Sequence, residues 1–394
     1  MHDWEESCKA LTGYSHHVVQ ELSKQIAIDP RKTYVTLSLL HMNVSYEQLA
    51  FIVKSTTNGK VLDESTLRKD YVKVCLEAST KRGSLADVNR RFSVTDPDFP
   101  DCFSIVDGVP VYCRGPHELY NGKQGDKYLS FQWYMMLDGC PLALTGPVEG
   151  SVHDSDAVCM TRPFPHKWKE FVLADLAYIS LRHMLTQLKG GLPGPQEEWF
   201  DMEFRRVRNR IERIFGALDQ HRFMWYSLFS HEVIAHAMQL IFNAECVRWQ
   251  LEPPAPTSRY AGDVVYRDPH SAEVVAWLDS EDCDCAFFKA DKDFARVADA
   301  KRAEMTAAMW VNKPLVPVGK RSAHSKGGPE QLYPRRTKAE MKEYKRDMKA
   351  LRSIDKKEQK KIRKRENAVA LAAWKMDNTP IHELHSRGRK RRKT

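Results

Sequence analysis

No apolar run in this sequence approaches the roughly 20 residues that a membrane-spanning helix needs. The longest, YVTLSLL (34–40) and FQWYMML (131–137), suit buried strands or helices. The opening stretch MHDWEESCKA is acidic and polar and lacks the hydrophobic core of a secretory signal, so a soluble protein made in the cytosol is expected. Cysteine is present but unorganised. None of the nine forms C-x-x-C, and the closest pair, Cys283 and Cys285, sits in an acidic stretch expected to be an exposed loop. That spacing excludes a zinc ribbon or finger and fits reduced thiols in a reducing compartment. A net positive charge is lacking through most of the chain. The formal net charge is +9, yet residues 331–394 hold 22 Lys and Arg against 8 Asp and Glu, while the other 330 residues hold 39 against 44. Basicity therefore belongs to the tail, and such a tail attracts polyanions, nucleic acid first.

With 394 residues, 42% of them hydrophobic, the chain can bury a core and divides into parts. Residues 1–95 read as a helical subdomain. Ser15 caps a helix running toward Ile28 in which Val18, Val19, Leu22 and Ile26 keep helical spacing. Ser45 and Gln48 form a capping box for a second helix. Asp63 caps a third, whose Leu67, Tyr71, Val74 and Ala78 share one face. The last two, the latter bearing Ser65, Thr66, Arg68 and Lys69, resemble a helix-turn-helix, although the connection STTNGKVL is longer than its usual turn. The alternative is a helical subdomain that packs on the body.

Residues 100–252 change pattern. SIVDGVPVYCR, KYLSFQWYMML and PLALTGPV read as three strands, with Asp138-Gly139 as the hairpin turn between the second and third. GSVHDSDAVCM starts a helix capped by Ser151 or Asp154, and FVLADLAY is a short buried strand. After the loop GGLPGP, Phe204, Val207, Ile211, Ile214, Phe215 and Leu218 mark the clearest helix, and Ser230 caps another that stops before Pro253-Pro254. Three strands followed by helix and strand predict an α/β fold, a mixed sheet with helices on its faces. Residues 253–330 read as a loosely structured linker in which only the stretch 290–310 looks helical. Residues 331–394 read as a basic tail, helical or disordered until bound.

Three carboxylates stand out. Asp107 and Asp175 interrupt strand-like apolar runs, where a charge is costly unless paired or bound to a cation. Each taken alone is equally a turn residue. Glu212 flanks the apolar stripe of its helix and can simply pair with Arg208 four residues earlier. Taken together, two strands and a helix that each supply a carboxylate suit Mg²⁺ or Mn²⁺, hard cations that take oxygen ligands. Two such ions about 4 Å apart clamp an in-line phosphoryl displacement. Asp107 is then expected in the middle of a central strand, Asp175 at the end of its neighbour, and Glu212 turned toward the sheet edge.

The order Asp107-Gly108, Tyr120-Asn121-Gly122-Lys123, Gly150-Ser151, His153-Asp154, Asp175, Ala177-Tyr178, Arg208, Glu212-Arg213, Phe215-Gly216 resembles the catalytic domain of Harbinger-type DDE transposases and their domesticated relatives. It covers roughly residues 100–250, with 68 residues from Asp107 to Asp175 and 37 from Asp175 to Glu212. Where many relatives carry Thr-His after Asp-Gly, this chain has Val109-Pro110. The resemblance implies an RNase H-like fold and divalent-metal cleavage and strand transfer at transposon ends. It implies Asp107, Asp175 and Glu212 as the metal-binding triad, a separate Myb-like DNA-binding partner, and room for an oligomer. His153, Asp154 and Arg208 are supporting candidates, His153 and Asp154 to orient a ligand or a phosphate, with helix capping by Asp154 as the alternative. Arg205 and the terminal cluster Arg389, Lys390, Arg391, Arg392 and Lys393 are candidates for DNA phosphates, the cluster also for nuclear import. The expected function is a DDE-type endonuclease and strand transferase, a transposase or a nuclear protein derived from one. The alternative is a non-catalytic DNA- or chromatin-binding descendant.

Overall fold

The computed structural model describes residues 8–42, 64–80, 84–122, 125–179, 181–187, 194–225, 227, 230–253, 264–283 and 292–311. The Ser45–Gln48 capping box, the connection STTNGKVL, the Asp63 cap, the Leu67 side chain, most of the GGLPGP loop, Cys285 and the whole basic tail lie outside these residues.

After a helical stretch at 8–12 come α1 (His16–Gln25), α2 (Pro30–Met42) and α3 (Glu64–Thr80). The Ser15 hydroxyl caps α1 by accepting from the Val18 amide, as the spacing predicts. The run YVTLSLL, ambiguous in sequence, is the middle of α2 and is buried on nearly every side. Tyr71, Val74 and Ala78 of α3 are buried as expected, and α3 packs on α2 and on a later helix, His231–Leu251. That packing is what a subdomain resting on the body requires.

A turn of 3₁₀ helix (Val88–Ser93) leads into β1 (Val94–Thr95) and then β2 (Cys102–Tyr112), β3 (Tyr120–Asn121), β4 (Asp126–Met136) and β5 (Pro141–Glu149). β2, β4 and β5 form an antiparallel meander. Its second hairpin turns through residues 137–140, with Gly139 at φ +93°, a conformation that favours glycine. After α4 (Asp154–Thr161) and β6 (His166–Lys167), the short β7 (Phe171–Leu173) returns parallel to β2, and β8 (Met184–Leu185) adds parallel to β7. The sheet order is β3-β4-β2-β7-β8, with β5 also on β4, so β2 is central.

Two long helices follow, α5 (Pro195–Leu218) and α6 (His231–Leu251). α5 buries Phe200, Phe204, Val207, Ile211, Ile214 and Leu218, with Phe200 and Phe204 edge-on to Phe99. α6, capped by Ser230, sets Phe242 edge-on against Trp133, the cross-strand partner of Asp107. Side chains alternate faces along a strand, so Asp107 lies on the face covered by α5 and α6. Gly108 lies on the face toward α4, where Tyr134 meets Phe164. The architecture is mixed α/β, a mixed sheet flanked by helices, consistent with an RNase H-like endonuclease.

The described parts of the stretch expected to be a loose linker, 264–283 and 292–311, are built into this body. β9 (Val265–Tyr266) pairs with β1, β10 (Asp282–Cys283) pairs with β6, and α7 (Ala272–Asp279) docks between them. Trp277 stacks on Phe92 and meets Phe103 edge-on, and Lys167 Nζ donates to the Leu278 and Ser280 carbonyls at the end of α7. α8 (Lys292–Val311) packs on α5 and β8. Cys283 is buried and disulfide-bonded, against the expectation of reduced thiols in an exposed loop. Among the described residues seven other cysteines form no disulfide. None of the described helices is long and apolar enough to cross a membrane.

Two buried polar networks tie these parts together. Arg91 makes a two-pronged bond to Glu170, with Nε–Oε1 2.9 Å and Nη2–Oε2 3.1 Å, and His166 Nδ1 lies 3.2 Å from Oε1. Burial alone would raise the Glu170 carboxyl, but His166 and Arg91 hold it down at about 2. In the second network His221 Nε2 meets the Tyr14 hydroxyl at 3.2 Å and the ring packs on His41. Burial, then His41 and Arg248, lower the His221 pKa to about 3, and burial lowers His183 to about 4. A histidine held neutral when folded takes up its proton more readily when unfolded, so its contribution is whole above the unfolded value of about 6.5 and is lost as pH falls from there. Stability in urea is therefore expected to fall between pH 7 and pH 5, by at most about 1.4 kcal/mol per pH unit for each such histidine. His221→Gln should make that fall shallower; an unchanged slope would show that His221 is not held neutral.

Candidate active site

β7 is only three residues long, and its shortness creates the site. It pairs with β2 as far as Ile105–Leu173. The chain then bends at Asp175, whose carboxylate accepts from the Ala177 amide at 2.7 Å and caps the 3₁₀ turn Leu176–Tyr178. On that side β2 next meets the chain at Ser227, whose amide donates to the Tyr112 carbonyl. Between these points, among the described residues, no strand covers the edge of β2. Asp107 stands at the start of this open stretch, and Asp175 closes the neighbouring strand, as predicted.

The charges there are compensated by one arginine. Arg208 Nη2 donates to Asp107 Oδ2 at 2.6 Å and Nη1 donates to Glu212 Oε1 at 3.1 Å. One planar guanidinium thus spans both carboxylates, which places their bonded oxygens within roughly 8 Å of each other. The i,i+4 pair expected from the helix exists, and it also reaches the strand. Asp107 is largely buried and its pKa is raised to about 6: burial raises it, Arg208 pulls it back, and Asp175 and Asp154 push it up again. Glu212 differs from expectation, since its side chain is 57% exposed and turned to Arg208 rather than into the sheet edge.

Asp154 enters from the opposite face of β2. It does not cap α4; the cap is His153, whose Nδ1 accepts from the Ser155 amide. As the first residue of the helix, Asp154 instead faces the backbone of Gly108, where a Cβ would stand 3.0 Å from its Oδ1. A side chain at that position would push the Asp154 carboxylate back by a few tenths of an ångström. The motif residues upstream build the joint that delivers it. Asn121 Nδ2 donates to the Gly150 carbonyl at 2.7 Å, and a Cβ on Gly150 would lie 2.6 Å from the Leu119 carbonyl. These glycines are legible in sequence, though their structural roles are not.

Two further residues were not singled out in the sequence for a role. Tyr178 donates to Gln132 Oε1 at 2.5 Å, which turns the Gln132 amide nitrogen toward Gly108, 3.8 Å from where its Cβ would be. That nitrogen is buried and has no partner among the described residues. Burial lifts the Tyr178 hydroxyl well above its ordinary pKa, and the charges of Asp154, Asp107 and Asp175 lift it further. Gln132 lies in an apolar strand, where a lone amide reads as incidental.

The remaining arginines of α5 divide. Arg206 binds Asp96, Asp98 and Glu203, and Arg210 is buried against Asp96 and the Leu137 carbonyl. Arg205 is exposed, as a phosphate contact requires. Arg389, Lys390, Arg391, Arg392 and Lys393 lie outside the described residues. Asp107, Asp154, Asp175 and Glu212 are all oxygen donors, the chemistry that suits Mg²⁺ or Mn²⁺. In the observed arrangement no three acidic, His or Cys side chains among the described residues converge to hold an ion; Arg208 supplies the positive charge instead.

No curated protein and no solved structure matches the chain. Residues 101–247, the stretch that runs from the foot of β2 through Asp107, Asp175 and Glu212 into α6, match the family model of the DDE superfamily endonuclease domain.

Proposed function

We propose that this chain is a metal-dependent DNA endonuclease and strand transferase of the DDE type, a transposase or a nuclear protein derived from one. What supports the reading is the placing of Asp107 and Asp175 on neighbouring strands at the open edge of β2, with Asp154 against Gly108, inside the stretch that matches the endonuclease family. Asp107, Asp175 and Glu212 would hold the divalent ions, Mg²⁺ or Mn²⁺. When bound, such ions activate the attacking oxygen and stabilise the leaving one. The protein's own part is positional. The strand and the capped turn hold Asp107 and Asp175 at fixed separation. Arg208 would give up its bonds to Asp107 and Glu212 and become free for a phosphate oxygen, which a planar guanidinium binds well. Glu212, exposed on the rim, would swing inward.

A second reading is favoured by one observation: Arg208 already neutralises Asp107 and Glu212. In a non-catalytic DNA- or chromatin-binding descendant that bridge would be permanent. A Myb-like partner and an oligomer rest on the resemblance alone.

Nicking of a supercoiled plasmid separates the two readings. The wild-type protein is expected to nick in Mg²⁺ or Mn²⁺ and not in a chelator. Asp107→Asn, Asp175→Asn and Glu212→Gln should each lower the rate by about a hundredfold or more while shifting thermal unfolding by less than about 4 °C. Wild-type nicking by any one of them removes that residue from the metal set, and a wild-type protein that never nicks favours the second reading. For the tail, we propose nuclear import and sequence-independent DNA affinity. Each phosphate neutralised steepens the dependence of log affinity on log salt by roughly 0.9. Deleting residues 331–394 should flatten that slope and release the protein from the nucleus; no change in either would refute the assignment.

A further inference from the structure

The open edge of β2 continues past Asp107 into a cavity of about 210 Å³. Val109, Pro110 and Tyr112 form one wall, Phe215 and Leu218 of α5 another, and Trp225 stands at the mouth. The deepest of these, Leu218, is fully buried, while Trp225 is 55% exposed. Its ring is not loose. The indole Nε1–H donates to the Asp219 carbonyl at 2.9 Å, and its plane lies 9° from that of Tyr112, with ring centroids 6.3 Å apart. The cavity is therefore mostly apolar, with Asp219 in its lining and the Trp225 ring half open to solvent.

Its position says what it can take. Three extended residues, about 10 Å, separate Asp107 from Pro110, and one helical turn, about 5 Å, separates Glu212 from Phe215. That is the reach of two or three stacked nucleotides at roughly 3.4 Å each. Val109-Pro110, the pair that departs from the transposase pattern, is part of this wall.

We propose that the cavity receives one unpaired nucleobase of the DNA strand held at the carboxylates, stacked against Trp225. This inference rests on the nuclease reading for its choice of strand. Stacking on an aromatic ring tolerates every base, because each has a π face, so the site would hold the strand in register without reading its sequence. Taking a base out of a duplex costs its stacking and pairing, and the cavity returns part of that cost next to the bond to be cut.

The test uses the full-length protein and three probes: a short single-stranded DNA, a fully abasic strand of the same length, and free dAMP. The wild type is expected to bind the ordinary strand about tenfold or more tighter than the abasic one, and both strands far tighter than dAMP. Trp225→Ala should erase most of the preference for bases, and Trp225→Phe should keep most of it, with thermal unfolding unchanged in both. An unaltered preference in Trp225→Ala overturns the inference. So does dAMP binding as tightly as the strand, which would make the cavity a nucleotide pocket. Plasmid nicking is scored separately. A base preference that depends on Trp225 without nicking sinks the nuclease reading and leaves the base site standing, whereas nicking without that preference does the reverse.

Discussion

The bridge from Asp107 through Arg208 to Glu212 is the constraint around which this structure is arranged. A carboxylate on a central strand is costly to bury and needs a cation or a proton. Here burial has already raised the Asp107 pKa to about 6, and the guanidinium keeps it from rising further. Arg208 can do so only because α5 is locked in rotation by Phe204, Val207, Ile211 and Leu218, all fully buried. The same register fixes Glu212 one turn later. Substitutions in that apolar stripe would therefore displace the charges before they unfolded the sheet.

The second constraint is the early end of β7. A longer strand would cover β2 beyond Ile105 and bury the edge on which Asp107 stands. Asp175 ends it, because its carboxylate takes the Ala177 amide and commits the chain to a turn. A side chain that looks like a turn residue and one that looks like a ligand are thus the same residue, with one oxygen engaged by the backbone. The open edge serves two neighbouring features, the carboxylates at its start and the aromatic cavity at its end.

How far the sequence carried depended on how local each cause was. β2, β4, β5, α5 and α6 are marked by period, cap and turn residues within the element itself, and they lie where the pattern put them. Asp107 and Asp175 were found because charge in an apolar run is conspicuous. The Arg208–Asp107 bond spans 101 residues of chain, so only its helical half was visible. α7 was missed because it is held by Phe92, Phe103 and Lys167, none of them near it in sequence. The choice of His153 over Asp154 or Ser151 as cap turned on one residue of register, and register at a helix start is set by the packing of the whole loop. Gln132 carried no mark at all, because its role comes from Tyr178 across the sheet.

The central claim is that the carboxylates at the edge of β2 form a site for divalent ions, with Arg208 holding their place until the ions arrive. Crystals of the full chain grown with Mn²⁺ test it most directly, through the anomalous scattering of the metal. The account predicts density between Asp107 and Asp175, within about 2.5 Å of a carboxylate oxygen of each, and Arg208 withdrawn from Asp107. An empty map at saturating Mn²⁺, with the Asp107–Arg208–Glu212 bridge intact, would contradict it.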